Sequence, residues 1–311
     1  MTLLSVILAL IIEQLQAPPV QRLVREPILQ FIAMIERQFN DGLYAHGAIA
    51  WSIVVGLPTF LLIIVYAVLL WQQTLLGFLL GIFTLYLTVG FRQFSHHFTE
   101  IQQDLRSDDI DAARKQLALW RGRQGDRLSS SEVARISIET ALVSSHRHVF
   151  APVFWYMLIG PAGAVMYRLA QLANESWGAR SDQDFGRFGE FARQAFGIID
   201  WLPLRLTAVA FAIVGDFEDA VYCWRTQSGN WPDPGSGILL ASGAGALGVR
   251  LGLPVTDGIG LDEQSDNRVE LGLGDDADPD FMQSTIGLVW RTLVLVLLLL
   301  ALVSVSGWVG A

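Results

Sequence analysis

The side chains able to do chemistry in this chain of 311 residues are few and widely spaced. Two histidine pairs come first. His96 and His97 are adjacent, which on a helix sets them about 100° apart, and His146 and His148 also diverge. Neither pair has the i, i+4 spacing that puts two imidazoles on one face, so no metal site is expected. Arg92, His96 and Glu100 read instead as one polar helix face near a membrane surface. Arg205 stands inside the apolar run WLPLRLTAVAFAIVG at 201–215, where a guanidinium needs a carboxylate or phosphate partner. A structural pair with Asp200 or Asp216 answers that need, and so does a ligand site. Residues 257–280 hold many acids, several glycines and one arginine; without periodicity or calcium-loop spacing they read as a solvated loop. The one cysteine, Cys223, rules out an internal disulfide and the usual zinc clusters and reads as a small buried hydrophobe.

The elements that must position these groups are apolar blocks. Hydrophobic residues make up 52% of the chain and charged residues only 16%, a membrane composition. The organising stretch is 149–174, VFAPVFWYMLIGPAGAVMYRLAQLAN, whose uncharged part 149–167 would be roughly 28 Å long as a helix, close to the ~30 Å hydrocarbon core. Gly160, Pro161 and Gly163 interrupt it. The helix should break where Pro161 removes a donor, with small residues admitting another backbone. Residues 51–71 form an uncharged span bounded by tryptophans, and 74–90 a shorter one; only Gln72 and Gln73 separate them, which predicts a tight antiparallel hairpin. A last span covers 292–311. The run 201–215 is short enough to suit a re-entrant or buried helix better than a full crossing.

The chain begins with an apolar stretch to Ile12 that is too short to span and lacks the basic start and cleavage site of a signal peptide. Pro18 and Pro19 end it, and an amphipathic surface helix comes next at 25–40. The segment 91–148 is polar and helical. Within it Ser129 and Glu132 form a capping box that starts a helix near Ser130, and a slight excess of Lys and Arg places the segment in the cytoplasm. The expected fold class is all-α: an integral membrane helical protein with about four spanning helices (51–71, 74–90, 149–167, 292–311) plus short re-entrant or interfacial helices. A single membrane domain is expected over 1–311, with a polar acidic region at 168–290. The lipid bilayer is the first partner. A net charge of −9 argues against nucleic acid.

PAGAVMYRLAQLAN, then Phe188-Gly189, Asp200-Trp201-Leu202-Pro203-Leu204-Arg205 and Ala244-Gly245-Ala246-Leu247-Gly248-Val249-Arg250-Leu251 resemble, in that order, the CobD/CbiB membrane proteins of cobalamin synthesis and their relative AmpE. Asn230-Trp231-Pro232 and Glu270-Leu271-Gly272 are further landmarks, and the similarity covers nearly the whole chain. The resemblance implies a bacterial inner-membrane, multi-pass helical fold. In the enzymatic members it implies an amide bond made between adenosylcobyric acid and an aminopropanol phosphate. Arg168, Arg205 and Arg250 lie in the best-matching landmarks and suit an anionic or corrinoid-like ligand; either at least two of them line one polar cavity or the three form separate salt bridges. No cofactor is specified, and a membrane protein partner is a further expectation.

Departures from the family pattern point the other way. Where the enzymes show a polar run E-S-x-x-E-N-x-x-D, this chain keeps Glu139 and then has Thr140, Val143, Ser144 and Arg147. Where they carry N-T-L-D, it has Gln171-Leu172-Ala173-Asn174, and a later paired aspartate falls near Phe196-Gly197. Glu139 is thus the one candidate catalytic carboxylate, with Arg135 a helical turn earlier as its available partner, and Asn174 a candidate ligand contact. On these losses the expected function is an AmpE-like accessory or sensing protein that makes no adenosylcobinamide phosphate at an enzymatic rate. The alternative is a working synthase.

Overall fold

The computed structural model describes residues 2–15, 24–122, 127–180, 185–254 and 268–309. In chain order the helices are α1 (Thr2–Leu15), α2 (Glu26–Phe39), α3 (Tyr44–Trp51), α4 (Leu57–Gln72), α5 (Thr74–Thr88), α6 (Phe91–Arg106), α7 (Ile110–Arg121), α8 (Ser130–Ser145), α9 (Ala151–Ile159), α10 (Pro161–Ala173), α11 (Glu190–Val214), α12 (Phe217–Gln227), α13 (Pro234–Leu247) and α14 (Pro279–Val309). Among the described residues the only sheet is a parallel pair, β1 (Val249–Arg250) with β2 (Asp275–Asp276). The all-α membrane fold is therefore observed. Among these residues, three runs are long and apolar enough to cross a bilayer: Tyr44–Gln72, Glu190–Val214 and Pro279–Ser306. The first joins α3 to α4 through a π-helical turn, Ser52–Gly56. The expected spans at 74–90 and 149–167 are not among the three, because α5 has only 15 residues and the break at Gly160 divides the other stretch into two short helices. The run 201–215 is the second half of α11, whose first half carries the charges that end the apolar window in the sequence.

The chain divides into two compact units, residues 1–90 with 148–203 and residues 91–147 with 204–311. In the first, the apolar stretch at 149–167 does break. Gly160, at φ +74°, ends α9, and Pro161 opens α10 at the position where a missing N–H costs nothing. A Cβ at Gly163 would lie 2.1 Å from the Trp155 carbonyl oxygen, so the turn is tight enough to demand a residue without one. The core of this unit is aromatic, with Tyr167, Trp177, Phe185 and Phe188 fully buried. Two buried polar groups are satisfied there: the Tyr167 hydroxyl donates to Asp200 Oδ1 at 2.8 Å, and Trp177 Nε1 donates to Glu36 Oε2 at 3.1 Å. Pro18 and Pro19, read as ending α1, lie outside the described residues.

The second unit gathers the polar helices. The expected capping box starts α8: Ser129 Oγ accepts from the Glu132 N–H at 3.2 Å, and Glu132 Oε2 accepts from the Ser129 N–H at 2.7 Å. His96 and Glu100 pair at 3.2 Å on α6. Helix α13 is buried from Gly237 to Ala246, and its small residues let it pack closely against α12. Thirteen of the residues read as an acidic loop or flanking it, 255–267, lie outside the described residues. The segment from Arg268 onward runs beside the chain just after α13, where Leu251 and Leu271 exchange backbone hydrogen bonds of 2.7 and 2.9 Å.

Candidate functional site

Helix α8 puts Arg135 and Glu139 on one face, one turn apart, and both are buried. Spacing alone favours Arg135 as the partner of Glu139. Its partner in the structure is Arg268, which reaches it from 129 residues further along, Nη2 to Oε1 at 2.6 Å and with a second contact to Oε2. The two side chains are only 10% and 11% exposed. Glu139 Oε1 also accepts the Gly252 N–H at 2.8 Å, and the Arg268 guanidinium lies 5.6 Å from the centre of the Trp231 ring. The carboxylate thus ties three pieces of chain together: α8, the turn after β1 and the return segment at 268.

Gly252 is required in that turn. Its φ is +75°, and a Cβ there would meet the Val269 carbonyl oxygen at 2.2 Å and Trp231 Cζ3 at 2.9 Å. Arg135 donates from Nη2 to the Pro254 carbonyl at 3.1 Å, two residues on. Burial pushes the Arg135 guanidinium below its usual pKa, the Glu139 charge opposes that, and the Arg268 charge adds to it. Arg268 is therefore near enough to repel it.

Arg250 belongs to the same loop. It pairs with Asp276 at 2.9 Å across the β1–β2 pair and with Glu270 at 3.8 Å, and its head group is about two-fifths exposed. Gln227 braces the return segment through both amide atoms, accepting from the Gly272 N–H at 2.6 Å and donating to the Gly272 carbonyl at 3.3 Å. Of the residues singled out in the sequence, Glu139 and Arg250 are thus brought to one loop. Arg205 is half-buried on α11 in the same unit, two residues before Thr207, whose hydroxyl lies 3.0 Å from His146 Nδ1. Arg168 and Asn174 lie in the other unit. Arg168 donates to Gln171 Oε1 at 2.8 Å, Gln171 donates to Glu175 Oε1 at 2.9 Å, and the Asn174 amide oxygen is buried without a hydrogen bond among the described residues.

Comparison with known proteins gives this geometry a family. The model described as CobD/Cbib protein matches residues 6–269. This chain belongs to the CobD/CbiB family. A relative from Stutzerimonas stutzeri strain A1501, named cobalamin biosynthesis protein CobD, is 34% identical over 99% of both chains. Proteins of the same name from Chromobacterium violaceum and from Listeria monocytogenes are 36% and 26% identical, over 57% and 72% of this chain. No solved structure matches.

Within a CobD/CbiB chain, the residues that sequence reasoning passed over are Arg268, Gly252 and Gln227, while Trp231 was read only as a landmark of the resemblance. One signal for Arg268 was present: it is the single base in an otherwise acidic stretch. Nothing in the spacing said which of the buried carboxylates it would meet.

Proposed function

We propose that this chain works in bacterial cobalamin biosynthesis as a multi-pass inner-membrane synthase, forming the amide between adenosylcobyric acid and an aminopropanol phosphate. The observation that carries this reading is the end-to-end similarity to a protein named cobalamin biosynthesis protein CobD, with 99% of each chain covered. It fits the synthase better than the AmpE-like accessory role that the lost carboxylates suggested.

The site geometry supports the reading in a second way. Burying two charges costs several kcal/mol of desolvation and gives little net stability, so a buried pair is poor evidence of a purely structural device. Here the pair of Glu139 and Arg268 fixes the shape of a loop that carries Arg250 with a partly exposed head group. Glu139 acts as a positioning residue, since both its oxygens are engaged. Arg250 faces a ligand carboxylate or phosphate, a role in which its planar fork is well matched; Arg168, Arg205 and Asn174 are further ligand contacts in their own units. Condensation joins the amine nitrogen to the acid carbon with net loss of water. It needs an activated acid and a deprotonated amine, and Val143, Ser144 and Arg147 cannot supply the carboxylates usual at those places.

The test is expression in a strain lacking its cobalamin synthase, with growth made to depend on the vitamin being built from adenosylcobyric acid. Rescue that is lost on Glu139→Ala supports the proposal. A well-inserted protein that gives no rescue overturns it.

A further inference from the structure

Three helices of the second unit fix the level at which its polar part meets the membrane. Beyond Arg291, α14 has no charged side chain, and Trp290 just before it is 44% exposed, its ring 4.9 Å from that of Phe91 at the start of α6. A tryptophan beside an arginine at the head of an apolar run marks the edge of the hydrocarbon. From Phe91, α6 climbs away from that edge along the polar first turns of α14: Gln102 donates to the Pro279 carbonyl at 2.9 Å and Arg106 pairs with Asp280 at 3.0 Å. Helix α7 comes back down, and its far end sets Trp120 at 6.4 Å from the His97 ring and 6.3 Å from the Phe98 ring. The 16 residues of α6 rise roughly 22 Å and the 12 of α7 descend roughly 16 Å. Helix α7 therefore ends roughly 6 Å above the edge, about the depth of one headgroup layer. On its outward face Asp111 and Lys115 are followed by Leu119, which is 73% exposed, with Trp120 half-buried beside it and Arg121 exposed at the helix end. A single exposed leucine means little by itself; its height above the hydrocarbon gives it meaning.

We propose that the end of α7 is a second membrane contact, docked on anionic phospholipid headgroups. Leu119 and Trp120 enter the headgroup layer, and the arginines at 92, 121 and 291 meet its phosphates. The charges are complementary: residues 91–99, 112–121 and 281–311 contain no acid, and Arg92 and Arg291 are exposed at the edge itself. Arginine suits such a layer because its stem lies along apolar surface while its head group reaches phosphate oxygens. The patch is also continuous, through Phe91 and Trp290, with the side of α14 that faces lipid. A protein partner would have to fit into a layer that headgroups already fill. The inference goes beyond the proposed function and does not depend on it, since it needs only the membrane fold.

The experiment uses the full-length protein in nanodiscs, spin-labelled at Leu119→Cys or, separately, at Lys115→Cys one turn farther from the membrane. The discs hold phosphatidylcholine alone or with added phosphatidylglycerol. Power-saturation EPR compares collisions with oxygen, which concentrates in lipid, and with a water-soluble nickel chelate; unsubstituted protein taken through the labelling gives the background from buried Cys223. The label at 119 is expected to turn from water-like to lipid-like as phosphatidylglycerol is added, while the label at 115 stays water-like. Arg92→Gln with Arg121→Gln should lower the ratio of lipid-like to water-like label at least about tenfold, each arginine near an anionic surface being worth about fivefold. If that double variant fails to insert, salt decides in the labelled protein itself: raising sodium chloride tenfold should reverse the effect of phosphatidylglycerol, and no reversal overturns the proposal. A label at 119 that is water-like in every disc overturns it too. So does one that is equally lipid-like in phosphatidylcholine alone, which would leave apolar insertion with no role for anionic lipid. Dipolar broadening between labels at 119 would assign the face to a second copy of the chain and likewise overturn it.

Discussion

The guanidinium of Arg268 lies 2.6 Å from Oε1 of the Glu139 carboxylate and touches Oε2 as well, across 129 positions of sequence. Through that contact one buried carboxylate on α8 sets the course of the turn at Gly252 and of the segment that returns after residue 267. Breaking such a pair by removing one partner strands the other charge and typically costs 3–5 kcal/mol. Glu139→Gln should therefore lower the thermal midpoint of the purified protein and abolish complementation. The double variant Glu139→Gln with Arg268→Met should recover much of the stability without recovering function. Equal stability losses that simply add would show that the two groups do not act as a pair.

Gly252→Ala tests the same turn from the backbone. At a φ of +75°, and with the Val269 carbonyl oxygen 2.2 Å from where a Cβ would sit, an alanine has nowhere to go unless Val269 moves. The expected loss is about 1–3 kcal/mol of stability, with membrane insertion retained and complementation reduced. Wild-type growth and an unchanged midpoint would show that the turn adapts freely.

Gly160→Ala addresses the break between α9 and α10. At φ +74° and ψ −154° the backbone there is in a region open almost only to glycine. A fluorescently tagged variant should give a smaller monodisperse peak on size exclusion than wild type, at equal expression. An unchanged profile would mean that the break tolerates a side chain.

Much of this was legible in the sequence, because it depends on near neighbours. Ser129 and Glu132 are three residues apart, so their capping box could be read directly, and Gly160-Pro161 announces its own helix break. The partner of Glu139 was not legible. Arg135 sits at the favourable i, i−4 distance, and local spacing alone favours it, but the carboxylate is taken by a guanidinium that only tertiary folding delivers. The length of α11 was hidden for a related reason. Asp200 looks like the end of an apolar helix until Tyr167 is seen to satisfy it.

Cys223 offers a check on the packing of α12. Burial, with the Asp219 charge adding to it, pushes its thiol up to about 11. Against a reference of 9.0, that leaves about a hundredfold less thiolate at pH 8. Iodoacetamide should label the native protein at least that much more slowly than the denatured chain, read by intact-mass spectrometry. Rapid native labelling would show that α12 opens.

The central claim is tested most directly by the product itself. A strain lacking its cobalamin synthase, expressing this chain and fed adenosylcobyric acid, is extracted and examined by mass spectrometry for adenosylcobinamide phosphate. The account predicts that the product accumulates with the wild-type chain and falls to background with Glu139→Ala inserted at equal level. Its absence from cells in which the wild-type protein is well inserted would contradict the account.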